Sequence, residues 1–289
     1  VEKMLDIELP ERVEYIRVIT AELQRIASHV FFIGVFGLDL GAITPVTWMF
    51  KDRERIIDLF ETLTGARLLY NYVWPGGVSH DITEKFVTRT KEFLDYFEPK
   101  LIEIDQLLST NKIFVERTAD VGVLDKDVAI NYGVTGPTLR ASGVDFDLRR
   151  KEPYSIYNKF DFDIPVGKGE MGTVGDSWDR YMVRFLEIKE SIKILRQCFD
   201  SIPDGDVHAA VPKKVRPKKG TVYSRYESSR GDVGFYIKSD GKNIPSRVKM
   251  RSPAFSNLCI LPYLSEGWMI SDVITILGSL DIVLGEIDR

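Results

Sequence analysis

Two long segments of the chain repeat apolar residues at steps of three and four, the spacing that places side chains on one helix face. In the first segment these residues are Ile16, Ile19, Leu23, Ile26, Val30 and Ile33. In the second they are Trp178, Tyr181, Phe185, Ile188, Ile192, Leu195 and Phe199. The second helix is expected to begin after Asp176 and to end before Pro203, because aspartate caps helix N-termini and proline cannot continue a helix.

Capping residues and apolar spacing predict three further helices. Thr44 as N-cap, with Pro45 at the first helical position, predicts a helix that stops at Gly65. Another helix is expected over about 83–108, and a short last one over about 269–277, because apolar residues recur there with helical spacing.

Residues 111–175 and 221–250 are instead rich in turn residues and short extended segments. The strict alternation of Phe160-Asp-Phe-Asp-Ile164 predicts a strand, and 221–250 predicts a small antiparallel meander. We therefore expect a mainly α protein with small β-elements, in a single domain over residues 1–289. The helical core is expected at about 1–110, 176–202 and 265–289, with β-containing insertions at about 111–175 and 221–250.

Composition argues against several classes of function. The chain has 289 residues, 44% of them hydrophobic, and a formal net charge of −4, whereas nucleic-acid-binding domains usually carry a basic excess. Its two cysteines, Cys198 and Cys259, form no CxxC pair, and its three histidines are scattered. We therefore expect no zinc site and no iron–sulfur cluster held by this chain alone.

The segment Gly167-Lys-Gly-Glu-Met-Gly172 matches the GxGxxG pattern of dinucleotide-binding loops. The segment before it alternates with aspartates instead of forming a buried aliphatic strand. The next helix also begins several residues late, so its amides would not meet a pyrophosphate. A flexible connector is the better interpretation of this loop.

Two acids in apolar surroundings are the best candidates for chemistry. Asp39 lies between Leu38 and Leu40 at the end of a long apolar helix, and Asp281 interrupts an apolar stretch near the other end of the chain. A buried acid must be paired, hydrogen-bonded or protonated. For Asp39 a cap or ion pair and a proton-handling role both remain open, and for Asp281 an exposed turn is the alternative. His29 is more typical of a hydrogen-bonded core residue than of a metal ligand.

Several phrases, in this order, are more specific than these motifs: Leu38-Asp-Leu-Gly-Ala42, Thr44-Pro45, Leu63-Thr-Gly-Ala-Arg67, Pro75-Gly-Gly77, Asn131-Tyr-Gly133, Thr138-Leu-Arg140, Ser142-Gly143, Asp163-Ile-Pro-Val-Gly167, Asp179-Arg-Tyr181 and Asp281-Ile-Val-Leu-Gly-Glu-Ile-Asp-Arg289. Together they resemble the 49-kDa (D-type) subunit of complex I, the proton-pumping NADH:quinone oxidoreductase. The resemblance covers essentially the whole chain. We expect the chain to lack the family's N-terminal segment, because its first residues look like the end of a helix.

The resemblance implies a fold similar to the large subunit of nickel–iron hydrogenases. A metal-free version is expected, since the paired CxxC ligands of those enzymes do not occur here. It also implies a quinone as substrate and a [4Fe-4S] cluster on a neighbouring subunit, with none bound by this chain. The implied partners are the iron–sulfur small subunit, a C-type (30-kDa) subunit and a membrane quinone-channel subunit. The chain would lie peripherally on the cytoplasmic side of a bacterial plasma membrane, or on the matrix side of the mitochondrial inner membrane.

The resemblance also assigns residues to the quinone cavity. Asp39 matches the family acid beneath the cavity, which is thought to link quinone reduction to proton movement. The residues that match the cavity lining are Phe31, Thr44, Phe50, Leu280, Asp281 and Val283. Aromatic and aliphatic walls suit a flat, apolar quinone ring.

One departure concerns the cluster on the neighbouring subunit. Leu69 stands where the family usually has a histidine associated with the pH dependence of the cluster potential, and Trp74 stands where it has an arginine. Leucine cannot titrate, so we expect a potential nearly independent of pH around neutrality. Two other functions remain open: the homologous subunit of a complex that accepts electrons from ferredoxin or a reduced coenzyme, and a non-catalytic dinucleotide-binding or assembly module.

Overall fold

The computed structural model describes residues 1–288, so Arg289, the last residue of the C-terminal phrase, lies outside the described residues. The α-helices are α1 (Glu2–Leu5), α2 (Glu11–Asp39), α3 (Ile43–Thr64), α4 (Glu84–Ile104), α5 (Lys112–Thr118), α6 (Lys126–Asn131), α7 (Pro137–Ala141), α8 (Leu148–Lys151), α9 (Ser177–Ser201), α10 (Pro253–Leu258), α11 (Leu261–Ser265), α12 (Ile270–Leu280) and α13 (Leu284–Ile287). A π-helical turn, Asp105–Ser109, extends α4, and a 3-10 turn lies at Tyr157–Lys159. The strands are β1 (Val73–Trp74), β2 (Gly77–Val78), β3 (Gly220–Ser228), β4 (Gly231–Ser239) and β5 (Arg247–Arg251). The predicted class, mainly α with small β-elements, is confirmed.

Helix α2 lies at the centre of the fold and packs against α3 and α9. The predicted apolar stripes of α2 and α9 belong to one buried core, which also includes residues of α4. Burial of each such aliphatic or aromatic side chain stabilises the fold by about 1.5–3 kcal/mol. By length and apolar composition α2 could cross a bilayer, but most of its apolar window is buried inside the protein. The packing of α2 is that of a core helix.

Side-chain caps and a glycine define the ends of the long helices, at Asp176 and Gly65 where the sequence predicted these ends and at Thr83 as a further cap. The side-chain oxygens of Asp176 and Thr83 each accept a hydrogen bond from the backbone N–H three residues later, at 2.8 and 3.2 Å. Gly65 ends α3 in the left-handed conformation, with φ of 76°. These caps fix where α9, α4 and α3 begin or end.

The strand expected over 160–164 does not form, and the whole segment 111–175 contains short helices and loops instead of strands. The alternation has another cause. The two phenylalanines of the segment are buried, while the N–H groups of Asp161 and Asp163 donate to the side chains of Gln197 and Glu190 on α9, at 2.8 and 2.9 Å. Helix side chains thus take the place of a partner strand.

The predicted meander over 221–250 is confirmed. Strands β3, β4 and β5 form an antiparallel sheet in that order, and the turn between β3 and β4 contains Ser229 and Arg230. A second, two-stranded sheet of β1 and β2 was not predicted. The β3–β4 turn reaches into the helical body, and this brings Arg230 to the site described next.

Candidate functional site

A cavity of about 610 Å³ lies where the C-terminal end of α2 meets α12 and the segment that follows it. Its wall is mostly apolar, with two carboxylates and one guanidinium. The lining residues are Phe31, Phe32, Val35, Phe36, Asp39, Arg230, Leu258, Leu261, Ile274, Leu277, Gly278, Asp281, Ile282, Val283 and Leu284. The structure therefore brings both sequence-predicted acids, which are far apart in the chain, to one cavity.

Asp39, the last residue of α2, is exposed towards this cavity. Within residues 1–288 its carboxylate has no hydrogen bond or ion pair, and partial burial raises its pKa above the ordinary value. Of the two interpretations left open for Asp39, the cap or ion pair is not found among the described residues, because the helix ends at the cavity and leaves the carboxylate open. A methyl group built on Gly278 of α12 would lie 3.3 Å from Asp39 Oδ2, so the carboxylate lies close against α12. An unpaired carboxyl group with a raised pKa can exchange a proton with a ligand in the cavity.

Asp281 follows α12 in the left-handed conformation, with φ of 57°, and only 8% of its side chain is exposed. The Arg230 guanidinium donates to Asp281 Oδ1 and to its main-chain carbonyl, both at 3.0 Å. The Arg184 Nε lies 3.8 Å from Asp281 Oδ2, and within the described residues neither atom has a hydrogen bond. The alternative of an exposed turn at Asp281 is excluded, because this acid is a mostly buried member of an ion pair.

Phe31 forms an aromatic part of the wall between two cavities. Its ring lies 5.3 Å from that of Phe50, and the Arg53 guanidinium lies 5.4 Å from the Phe31 ring. On the other side of Phe31 and Arg230 is a second cavity of about 450 Å³, which Leu69 also lines. The Leu69 side chain is 97% exposed, so the rim of this second cavity is open and apolar.

The remaining predicted wall residues lie elsewhere. Leu280 is fully buried, and its carbonyl accepts a hydrogen bond from Arg184 at 3.1 Å. Thr44 lines a separate cavity of about 230 Å³, together with Pro45 and Phe114. The predicted Thr44 cap was wrong, because α3 begins two residues earlier than expected, at Ile43 instead of Pro45, with no side-chain cap. Of the predicted wall residues, Phe31, Asp281 and Val283 thus line the cavity of Asp39, and Phe50 packs against Phe31.

A buried ionic network lies behind the cavity, and the sequence analysis missed it. Its members are Glu22, Arg25, Arg140, Asp147, Arg149, Glu187 and Glu227, all nearly or fully buried. Arg140 Nη2 lies 2.5 Å from Glu187 Oε1, and Arg140 Nη1 lies 2.9 Å from Glu227 Oε1. The Arg25 guanidinium donates to the carbonyl oxygens of Glu227 and Ser228, at 2.7 and 2.9 Å. The network thereby fixes the end of β3, next to the turn that carries Arg230. The only signal in the sequence was charge at helical spacing, Glu22 and Arg25, close to the apolar stripe of α2.

The network contains four carboxylates and three arginines, so one acid lacks a full countercharge. Burial, together with the neighbouring Asp147 carboxylate, raises the pKa of Glu227 to about 7. Burial also opposes ionisation of Glu187, but Arg140 and His29 outweigh it and hold the pKa of Glu187 well below its usual range. His29 is buried, and its Nε2 lies 2.8 Å from Glu187 Oε2, which confirms it as a hydrogen-bonded core residue.

The GxGxxG segment does not form an open phosphate cradle. The N–H group of Gly169, within the segment, and that of Gly175, just after it, donate to the Asp179 carboxylate, at 3.0 and 3.2 Å. A methyl group on Gly167 would lie only 1.8 Å from the Ala141 carbonyl oxygen, so this loop is packed tightly against α7. Since these amides already bind a carboxylate of the protein, they are not free for a pyrophosphate.

The described part of the chain contains no cluster of histidine, cysteine and acidic side chains with the arrangement of a metal site. Comparison with known proteins then decides the family. A family model described as "Respiratory-chain NADH dehydrogenase, 49 Kd subunit" matches residues 39–219 and 209–289. The chain belongs to this 49-kDa subunit family. It is therefore a subunit of a respiratory oxidoreductase, complex I.

Individual relatives of the 49-kDa subunit family agree over the whole chain. The D-type subunit of the NADH-quinone oxidoreductase of Chlorobaculum tepidum is 54% identical over 293 residues, which cover 100% of this chain and 73% of the relative. That of Chlorobium phaeovibrioides gives the same identity and coverage. A D-type subunit of the NADH-quinone oxidoreductase of Cytophaga hutchinsonii is 52% identical over 299 residues, which cover 100% of this chain and 76% of the relative.

Proposed function

We propose that this chain forms part of the quinone-reduction site of a proton-translocating NADH:quinone oxidoreductase, and that the 610 Å³ cavity is its share of that site. One observation carries the proposal: an unpaired acid, Asp39, and an ion-paired acid, Asp281, open into the same largely apolar cavity. Binding sites for small apolar ligands combine such walls with a few polar groups that fix orientation.

The proposed reaction converts a quinone to a quinol, which consumes two electrons and two protons. The ring would lie against Phe31 and Val283, whose side chains line the cavity. Asp39 would exchange protons with the site, because its carboxyl group is unpaired among the described residues and its pKa is raised by partial burial. Arg230 would hold Asp281 in place at the cavity edge.

Electrons would come from a [4Fe-4S] cluster held by the iron–sulfur small subunit. The residues of this chain fit a role without a metal of its own, since the donor set at the cavity consists of two carboxylates and a guanidinium, with no thiolate to hold a cluster. The fold would be that of a nickel–iron hydrogenase large subunit. In this chain it would form one wall of the quinone site and would not hold metal ligands.

Exposed apolar side chains near the cavity support the presence of the other subunits. Ile270 and Ile274 of α12 are exposed, as are Leu284 and Ile43. Exposed apolar patches of this kind typically mark protein–protein or membrane contacts. In the proposed assembly the iron–sulfur small subunit, the C-type (30-kDa) subunit and the membrane quinone-channel subunit cover such surfaces, and the chain is peripheral to the membrane.

Co-purification tests this function. An affinity tag on the full-length protein in its native membrane should recover an iron–sulfur small subunit and a membrane subunit, together with NADH:quinone reductase activity that quinone-site inhibitors abolish. Recovery of a free homo-oligomer with bound nucleotide would contradict the proposal and would favour a dinucleotide-binding module.

A further inference from the structure

The two outer strands of the three-stranded sheet are largely exposed, whereas the central strand β4 is mostly buried or half-buried. Strand β5 has exposed residues over most of its length, and β3 is mostly exposed as well. One face carries the apolar side chains Val222, Phe235, Ile237, Val248 and Met250, of which Val248 and Met250 are 48% and 38% exposed. The sheet packs against α8 and α10, but the exposed parts of β3 and β5 leave room for a further packing partner.

The same part of the chain concentrates positive charge. Residues 213–251 contain twelve lysines and arginines against three acidic residues, a net charge of +9 in a chain whose total is −4. Most of these cations are exposed, and within residues 1–288 no carboxylate pairs with Lys238, Arg247 or Lys249. The rest of the chain is therefore strongly acidic, and the excess of positive charge lies in the loop 213–219 and in the sheet that follows it.

The register places three of these cations, Lys238, Arg247 and Lys249, on the second face of the sheet together with Tyr223 and Tyr236. This face is called here the basic face. Tyr223 lies opposite Tyr236 and Tyr236 opposite Lys249, while Lys238 lies directly opposite Arg247. Like charges in directly opposed positions destabilise a sheet. An anion bound next to Lys238 and Arg247 would offset the repulsion between them.

We propose that the basic face docks onto an acidic surface of another protein subunit in the same complex. This inference rests on the proposed function, in which the chain works inside a multi-subunit assembly. Charge complementarity identifies the chemistry of the partner. The exposed Tyr223 and Arg247 and the half-buried Tyr236 are residue types enriched in protein–protein interfaces.

Protection against aggregation and contact with a lipid surface each fit the sheet less well. Charged residues on an edge strand protect against aggregation, and this would account for Arg247 and Lys249 on β5, but not for Lys238 on the central strand. A lipid surface would cover one side of the sheet only, whereas apolar side chains are exposed on the opposite face. A protein partner can contact the basic face and also extend around the open edge of β5.

Zero-length carbodiimide cross-linking of the assembled complex, purified through a tag on a different subunit, tests the contact directly. This reagent joins lysine amines to carboxylates that are in contact. We expect cross-links from Lys238 or Lys249 to aspartates or glutamates of one other subunit. Copies of the complex that contain this chain but give no such cross-link would overturn the inference and leave the proposed function standing. Absence of the chain from the complex would instead refute the proposed function.

A charge reversal provides the second test. The triple variant K238E/R247E/K249E keeps a like-charge pair across β4 and β5, so the cost inside the sheet stays similar, while attraction to an acidic partner becomes repulsion. We expect the fraction of intact complex on native gels to fall about tenfold at moderate ionic strength. Reversal of the cross-linked partner acids to lysine should restore assembly.

The matched control is K3E/K85E/K126E, which changes the net charge equally at exposed lysines without ion pairs among the described residues. Assembly of the control should stay close to that of the parent. An equal loss of intact complex in both triple variants would overturn the inference. A basic-face variant that assembles normally but no longer binds vesicles containing anionic lipid would overturn it as well.

Discussion

The Arg230 guanidinium holds Asp281 from two directions, donating to its Oδ1 and to its main-chain carbonyl at 3.0 Å each. Arg230 also donates to the Ser28 hydroxyl of α2, at 3.1 Å. One side chain from the β3–β4 turn thereby ties the end of α12 to the central helix. The shape and the charge of the cavity edge depend on this tie.

Arg230→Gln should weaken quinone reduction more than it weakens the fold. The variant leaves a mostly buried Asp281 carboxylate with only Arg184 nearby, at 3.8 Å, so the segment that carries Val283 loses its anchor. Small displacements at a binding site cost up to about a hundredfold in rate, and we expect a tenfold or larger loss of kcat/KM for quinone. Arg216→Gln, on an exposed loop, is the control. Equal activity in the two variants would refute a positioning role for Arg230.

Asp39→Asn should lower quinone reductase turnover about a hundredfold, which is typical of the loss of a proton-transferring group. Assembly should not change, because the Asp39 carboxylate has no partner to lose among the described residues and the amide has nearly the same shape. Steady-state assays and native gels of the membranes measure both quantities. Asp200→Asn, at an exposed position on α9, should retain full turnover. Unchanged turnover in Asp39→Asn would show that the Asp39 carboxyl group does not transfer protons during quinone reduction.

Gly278→Ala tests whether the space between α12 and Asp39 matters. The added methyl group would lie 3.1 Å from Phe36 Cδ2 and 3.3 Å from Asp39 Oδ2, closer than most packed carbons, and repacking would cost about 1 kcal/mol or more. We expect a severalfold lower kcat, with the carboxylate displaced. Gly285→Ala is a matched control, since its methyl group would meet no atom within 4 Å. The same kcat in Gly278→Ala and Gly285→Ala would show that the close contact between α12 and Asp39 does not affect turnover.

The raised pKa of Glu227, about 7 against an ordinary 4.5, gives a pH-dependent stability with a defined sign. The folded state binds this proton more tightly than the unfolded state, so the contribution of Glu227 to stability falls as pH rises from about 4.5 to about 7. The glutamine in Glu227→Gln carries no charge at any pH. The free energy of unfolding of this variant should therefore rise relative to that of the parent as the pH increases across that window. Urea unfolding at several pH values measures the difference, with the exposed Glu170→Gln as control. A difference that does not change with pH would contradict the prediction.

Leu69 gives a prediction for the proposed neighbouring cluster. An exposed leucine cannot exchange a proton, so a redox titration of the assembled complex should give a cluster potential nearly independent of pH around neutrality. Leu69→His should introduce a slope near the ordinary pKa of histidine, about 6.5. A steep slope near pH 7 in the parent complex would contradict this prediction.

The sequence predicted those parts of the fold that depend on local patterns. The stripes of α2 and α9, the Asp176 cap and the meander over 221–250 follow from spacing and turn chemistry alone, and all are present. The segment 160–164 is the exception, because its alternating pattern does not form a strand. The alternation of apolar and polar residues indicates which side chains are buried. It does not indicate whether a neighbouring strand or the side chains of a helix will form hydrogen bonds with the backbone N–H groups.

The candidate site was predictable only in part for the same reason. Asp39 and Asp281 stood out because each interrupts an apolar stretch. Their meeting in one cavity, and the arrival of Arg230 from a turn about 50 residues before Asp281 in the chain, depend on tertiary packing that no local pattern records. The buried network was also missed, since each of its charged residues looks like an ordinary surface residue in sequence.

The most direct test of the quinone site is photoaffinity labelling of the assembled complex with an azidoquinone, followed by peptide mapping. Adducts are expected on this chain in the peptides that contain Phe31 to Asp39 or Asp281 to Leu284, and they should be lost when excess quinone is added. Competed adducts confined to other surfaces, such as the separate cavity beside Thr44 and Phe114, would contradict the proposed quinone site.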